Sequence, residues 1–197
     1  MQIIFYTERS AEDFSKKDGN IFPQPPQQCP FKDCSLKVNF KKHGYYERYY
    51  ISKTFTGIVY IRRYICPICG KTVSMLPVFC IPKFQYSYLD IVDFLHQISQ
   101  GSTPLKQYVM KLREYFPDID RRHINYYKKR ALENRNFIQF GLNLISPEFI
   151  NVGSIPENQN WVKEFLDKVH AIQPRIFHVD FHQKTGKSFL TLQNIVA

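Results

Sequence analysis

Four cysteines stand in two pairs, Cys29 and Cys34 as C-x4-C, Cys66 and Cys69 as C-x2-C. Thiolates at such spacings can close a tetrahedral site on one divalent ion. A site closed by four sulfurs is structural, because no coordination position stays open for chemistry. In Cys66-Pro67-Ile68-Cys69-Gly70 the backbone must fold around its two sulfurs, and Gly70 is a residue able to take positive φ. The first pair is looser, and His43 and Cys80 are alternative donors for it. Cys80 reads otherwise as a small buried apolar residue. The expected cofactor is one structural Zn²⁺ on Cys29, Cys34, Cys66 and Cys69. No nearby His-x-Glu offers a general base, which argues against a catalytic metal.

A second set of residues suits a polyanion. The formal net charge is +10, which favours nucleic acid and, less often, an anionic membrane surface. Lys41, Lys42, Arg48, Arg62 and Arg63 lie between the cysteine pairs, interleaved with Tyr45, Tyr46, Tyr49, Tyr50, Tyr60 and Tyr64. Cations there can meet phosphates while tyrosines stack or pack inward. Further along, Arg121, Arg122, Asn125, Tyr126 and Lys129 share the outward face of a helix whose Ile124, Tyr127 and Ala131 point inward. Arg and Asn can read guanine and adenine in the major groove, and Lys128, Arg130 and Arg135 suit phosphates. RNA remains an alternative partner, since tyrosine-rich surfaces also stack on unpaired bases.

The elements that must position these groups follow from periodicity and turn chemistry. Ile3 to Tyr6 reads as a strand, Glu8 to Asp18 as a polar stretch, and Pro23–Gln28 as a stiff connector. Val38–Ser52 and Ile58–Ile65 read as two strands of a hairpin, with a bulge at His43-Gly44 and the turn at Thr56-Gly57. Thr72–Pro82 reads as a packed connector. From Tyr86 the period becomes helical: Tyr88, Ile91, Val92, Leu95 and Ile98 recur at steps of three or four. Thr103 is placed as N-cap and Pro104 as the first helical residue of the next helix, which runs to Phe116. Pro117-Asp118-Ile119 is a tight turn, and the following helix extends to about Asn143 in a helix-turn-helix shape. Residues 147–160 read as a loop, Trp161–Ile172 as a helix, and Arg175–Leu192 as a hairpin turning at Lys184-Thr185-Gly186.

The expected fold is therefore α+β. A zinc ribbon at 29–82 follows an N-terminal strand and connector at 1–28. A helix-turn-helix-like region at 83–145 precedes a small helix and hairpin at 146–197. Gly186-Lys187-Ser188 imitates the end of a P-loop, but Phe181 replaces the required glycine. On a strand, His178, Asp180 and His182 would share one side, though a surface cluster explains them better than a second metal site. No apolar run approaches the ~20 residues of a spanning helix. The N-terminus lacks a basic, apolar leader, so the expected location is cytoplasmic and nucleoid-associated.

The order of these parts resembles the N-terminal zinc-ribbon region of bacterial insertion-sequence transposases. The similarity runs through Cys29…Cys34, Lys42-His43-Gly44-Tyr45-Tyr46-Glu47-Arg48, Ile61-Arg62-Arg63-Tyr64-Ile65-Cys66-Pro67-Ile68-Cys69 and Met75-Leu76-Pro77-Val78-Phe79. It is closer still to short transposase-related proteins of unknown function found in Firmicutes. The resemblance spans about residues 29–140. It implies duplex DNA binding through ribbon and helix-turn-helix, with a transposase or recombinase as a possible partner. It also makes Asp180 similar to the first-strand aspartate of an RNase H-like catalytic domain and Phe189–Leu192 similar to the next strand. The other two carboxylates of that triad have no counterpart before Ala197, so the resemblance implies DNA binding without strand cleavage. The alternatives are a protein-docking zinc module within a transposition or recombination complex and a truncated RNase H-like transposase or nuclease using Asp180.

Overall fold

The computed structural model describes residues 1–146 and 160–191. Among them it is a mixed α+β protein with one four-stranded sheet and seven α-helices. The strands are β1 (Gln2–Phe5), β2 (Lys41–Ile51), β3 (Thr56–Ile65) and β4 (Thr72–Pro77), in spatial order β1-β4-β3-β2. The pairs β2–β3 and β3–β4 are antiparallel, and β1 lies parallel to β4. The helices are α1 (Ala11–Phe14), α2 (Tyr88–Ser99), α3 (Leu105–Leu112), α4 (Arg121–Glu133), α5 (Arg135–Ile145), α6 (Asn160–Ile172) and α7 (Pro174–Thr185).

The β2–β3 register slips between Lys42 and Tyr45. Gly44 sits there at φ +80, so His43-Gly44 forms the expected bulge. The hairpin turn lies earlier than expected. Ser52 closes it, its amide and hydroxyl both donating to Phe55 O at 2.9 and 3.0 Å, while its Oγ accepts from Phe55 N. A Ser hydroxyl can close a turn in this way by bonding nearby backbone, without the positive φ that Gly supplies. Gly57 belongs instead to β3, where the Phe55 ring lies 3.1 Å from the place a Cβ would take. Residues 72–77, expected as a connector, form β4. Their prolines masked a strand that ends at Pro77 beside Phe5 of β1.

Two apolar cores result. The sheet core gathers Ile4, Phe14, Phe22, Val59, Ile61, Leu76, Phe79 and Cys80. The helical core gathers Tyr88, Ile91, Phe94, Phe116, Ile124, Phe165, Phe177, Phe181 and Phe189. α7 belongs to both, with Val179 in the first core and Phe177 and Phe181 in the second. This helix replaces the expected hairpin over 175–192. Pro174 opens it, and Gly186 at φ +71 caps it. Five of its residues from Phe177 to His182 are buried, and burial on several sides removes the polar face that gives a helix its 3.6-residue signature. The strand expected at Phe189–Leu192 is a turn over its described residues, 189–191.

The long helix expected after Asp120 breaks at Asn134, whose amide donates to Phe189 O and Thr191 O at 2.7 and 2.8 Å. α3 begins one residue later than expected, with Pro104 in the N-cap position and no side-chain cap. Apart from Asn160, the loop expected over 147–160 lies outside the described residues. No helix among those residues is long and apolar enough to cross a membrane.

Candidate metal centre and basic surface

Each cysteine pair sits on its own small turn at the same end of the sheet. In the first, Val38 N bonds Gln27 O at 3.0 Å and Cys29 N bonds Leu36 O at 2.9 Å, closing a narrow loop. Cys34 N and Ser35 N both reach Phe31 O at 2.9 Å. In the second, Gly70 N bonds Cys66 O at 3.0 Å and Cys66 N bonds Lys71 O at 2.9 Å. The residue after the second cysteine is left-handed in both turns, Ser35 at φ +49 and Gly70 at φ +69. The two turns are thus local equivalents despite unequal spacing. Asp33 and Lys71 form an ion pair from one to the other, and the Lys71 ammonium lies 5.3 Å from the Phe31 ring centroid.

This arrangement gathers Cys29, Cys34, Cys66 and Cys69 so that their sulfurs all lie within 4.8 Å of one another. Cys29 Sγ stands 3.7 Å from Cys69 Sγ, and Cys34 Sγ stands 4.0 Å from Cys66 Sγ. A tetrahedron with Zn–S bonds of about 2.3 Å has S···S edges of about 3.8 Å, so these distances fit a structural zinc. Backbone amides already face the sulfurs: Phe31 N–H toward Cys29, Leu36 N–H toward Cys34, and Cys69 and Ile68 N–H toward Cys66. The amides of Cys69 and Ile68 pull the Cys66 thiol down to about 7. Burial, together with the neighbouring thiols, pushes Cys29 up to about 12. A bound cation would relieve that crowding by holding all four as thiolates. Among the described residues no other group of His, Cys, Asp and Glu converges in this way. Cys80 is buried in the sheet core instead, and His43 is exposed on the bulge.

The expected DNA-contacting residues divide. On α4, Arg121, Arg122, Asn125, Tyr126 and Lys129 are exposed, Lys128 and Arg130 are half-exposed, and Ile124, Tyr127 and Ala131 are buried. Arg130 Nε donates to Tyr126 Oη at 3.1 Å. Arg122 pairs with Asp120 at 2.7 Å. Asp120 caps α4 by accepting from Arg122 N and His123 N at 2.8 and 3.1 Å. Arg122, followed by those amides, draws the Asp120 carboxyl down to about 2. A cleft of about 500 Å³ separates α3 from the start of α4, lined by Lys106, Val109, Met110, Arg113, Arg121 and Arg122.

On the sheet, Lys41 and Lys42 are exposed, but two arginines turn inward. Arg48 Nη2 donates to Ile81 O and Phe84 O, tying β2 to the chain that leads into α2. Arg62 is 8% exposed, between the rings of Tyr45 and Tyr64 at 4.6 and 5.7 Å. Arg63 is half-buried. The sequence expectation was that these cations meet phosphates; the packing of neighbouring segments and rings draws Arg48 and Arg62 inward instead.

The His178, Asp180 and His182 cluster also changes. On a helix, residues four apart share a face and a residue two along points away, so Asp180 parts from the histidines and is not on a strand. His178 donates through Nδ1 to Val78 O at 2.9 Å and stacks on Tyr88 at 3.9 Å. Burial lowers His178 to about 3 and His182 to about 4. Asp33, Lys71, Asp120 and Asn134 join the residues that position these groups, beyond those the sequence singled out. The acid between Cys29 and Cys34 and the lysine after Gly70 were the available signal for the first two.

Residues 29–113 match the model of a family described as a domain of unknown function (DUF6431). The match takes in both cysteine turns, β2 to β4, α2 and α3, and stops before α4. No curated protein and no solved structure matches the chain.

Proposed function

We propose that this protein binds duplex DNA, with a zinc ribbon formed by the four-cysteine end of the sheet and a helix-turn-helix formed by α3 and α4. The observation that carries this reading is the division of α4. Arg121, Asn125 and Lys129 lie on its exposed side, and Ile124, Tyr127 and Ala131 fix the opposite side in the core. Side chains of these types at successive turns match the donors and acceptors of the major groove. The amides at the start of α4 are already bonded to Asp120, so contacts come from side chains and not from a phosphate on the helix N-terminus. Lys41 and Lys42 extend the cationic surface to the sheet. The kinship with mobile-element proteins and a place on the nucleoid rest on the sequence resemblance and belong to the same proposal.

Fluorescence anisotropy against duplexes from the DNA flanking the gene tests it. Affinity is expected to fall about a thousandfold between 50 and 200 mM salt if about six phosphates are neutralised. Arg121→Glu with Lys129→Glu removes two exposed cations while leaving the Arg122–Asp120 cap intact, and should abolish binding. A flat salt response, or unchanged binding by this variant, refutes the reading.

A further inference from the structure

We infer that the cleft between α3 and the start of α4 binds a phosphomonoester carried on an apolar body. Lys106, Val109, Met110 and Arg113 follow one another at helical spacing along α3 and its C-cap, which puts them on one face. That face lines the cleft, and Arg121 and Arg122 line it from α4. A stripe at such spacing is ordinarily an apolar seam against the core. Here only Val109 is buried, Met110 is 63% exposed, and a cation stands at each end. The cleft holds about 500 Å³, a volume in the range of small-ligand sites.

Charge selects the ligand. Among the lining side chains Lys106, Arg113, Arg121 and Arg122 are cations, and Asp120 is the one acid. Asp120 is already engaged, paired with Arg122 at 2.7 Å and accepting from the Arg122 and His123 amides. Lys106, Arg113 and Arg121 remain to face an anion. Arg113 Nε donates to Ile119 O at 3.1 Å, which anchors its guanidinium beside the turn that leads into Arg121. Two guanidinium groups match the oxygens of a phosphate. The charge of a phosphomonoester, about −1.5 to −2 at neutral pH, suits three cations better than a single carboxylate does. Val109 and Met110 receive the apolar part attached through the ester oxygen. Arg121 is also a DNA contact on the reading above, so an occupied cleft should oppose duplex binding. That consequence alone rests on the DNA-binding reading.

The chain has three methionines, Met1, Met75 and Met110, and Met75 is buried in the sheet core. In the full chain labelled with carbon-13 at the methionine methyls, phenyl phosphate should shift the Met110 signal saturably and leave Met75 in place. Arg113→Gln should weaken phenyl phosphate about tenfold by calorimetry. Met110→Gln, at an exposed position, should weaken it as well, an unchanged Met75 signal showing that each variant is folded. Equal shifts from inorganic phosphate overturn the apolar part of the assignment, and equal affinity for benzoate overturns the phosphate part. No Met110 shift, or full affinity in both variants, overturns the site. Phenyl phosphate should also lower duplex affinity about tenfold at constant ionic strength, as Arg121 leaves the DNA. Unchanged duplex affinity with the cleft saturated overturns the antagonism. Absence of any duplex binding refutes the DNA-binding reading, while a Met110 shift still upholds the cleft.

Discussion

Residues 27–38 and 66–71 bury two cysteines and no large apolar side chain. At the junction of the two cores, α7 buries Phe177, His178, Val179, Phe181 and His182. The first region has its hydrogen bonds and one ion pair, but too little apolar area to hold its two turns together. On the proposed reading, a metal ion on the four cysteines would bind the folded form and add its binding energy to folding. The second region depends on close packing, where apolar burial is worth roughly 25 cal/mol per Å². The contrast teaches that one small protein can set ligand-conditional stability at an exposed end of its sheet and packing-based stability at its centre.

The largest expected break in this comparison is Cys66→Ser. It should abolish zinc binding and strip amide-exchange protection from residues 27–38 and 66–71. Val59, Ile61 and Leu76 should keep the far part of the sheet folded, and the near-ultraviolet signal of Trp161 should persist. Simultaneous loss of that signal would show the two regions to be one cooperative unit. The packed region should instead fail on a steric change. A Cβ at Gly141 would stand 2.1 Å from Cε2 of Phe181, a buried ring held between Phe137 and Phe177. Gly141→Ala should cost about 1–3 kcal/mol in urea unfolding, with zinc content unchanged.

Acid should separate the regions more gradually. His178 and His182 are buried as neutral imidazoles, with pKa values of about 3 and about 4 in the folded chain. The ordinary value in an unfolded chain is about 6.5. Between these limits the unfolded chain binds protons that the folded chain refuses. Stability is therefore full above about pH 6.5 and falls as pH drops toward about 4, by up to about 1.4 kcal/mol per unit for each histidine. His178→Gln should roughly halve that slope, and a zinc-sensitive dye read in parallel distinguishes it from acid loss at the thiols. The smallest effect is expected at Ser35, left-handed at φ +49 where the other turn has Gly70. Ser35→Gly relieves that strain by about 0.5–1 kcal/mol, offset in part by loss of the hydroxyl bonds to Phe31 O and Lys32 O. A shift in zinc affinity with no change at α7 would sharpen the comparison.

Where sequence reading succeeded and failed follows the same divide. The four cysteines, β2, β3, the bulge at Gly44 and the inward face of α4 were legible because spacing, alternation and helical period are local properties. β4 and α7 were not, since both are buried on more than one side and lose the polar register that marks an element. The inward turn of Arg48 and Arg62 was hidden for a related reason, as an arginine's charge does not announce whether carbonyls or rings await it.

By itself, then, the sequence determined a basic α+β chain with a four-thiol cluster and an amphipathic, arginine-rich α4. Those features reside in residue type and short-range spacing, where backbone geometry leaves few alternatives. Only the tertiary structure decided that β1 joins β4, that the helix after Asp120 divides at Asn134, whose side-chain amide bonds residues 55 and 57 positions away, and that α7 unites two cores. It also decided which cations face solvent. Each of these depends on contacts between segments far apart in the chain, which no local pattern encodes.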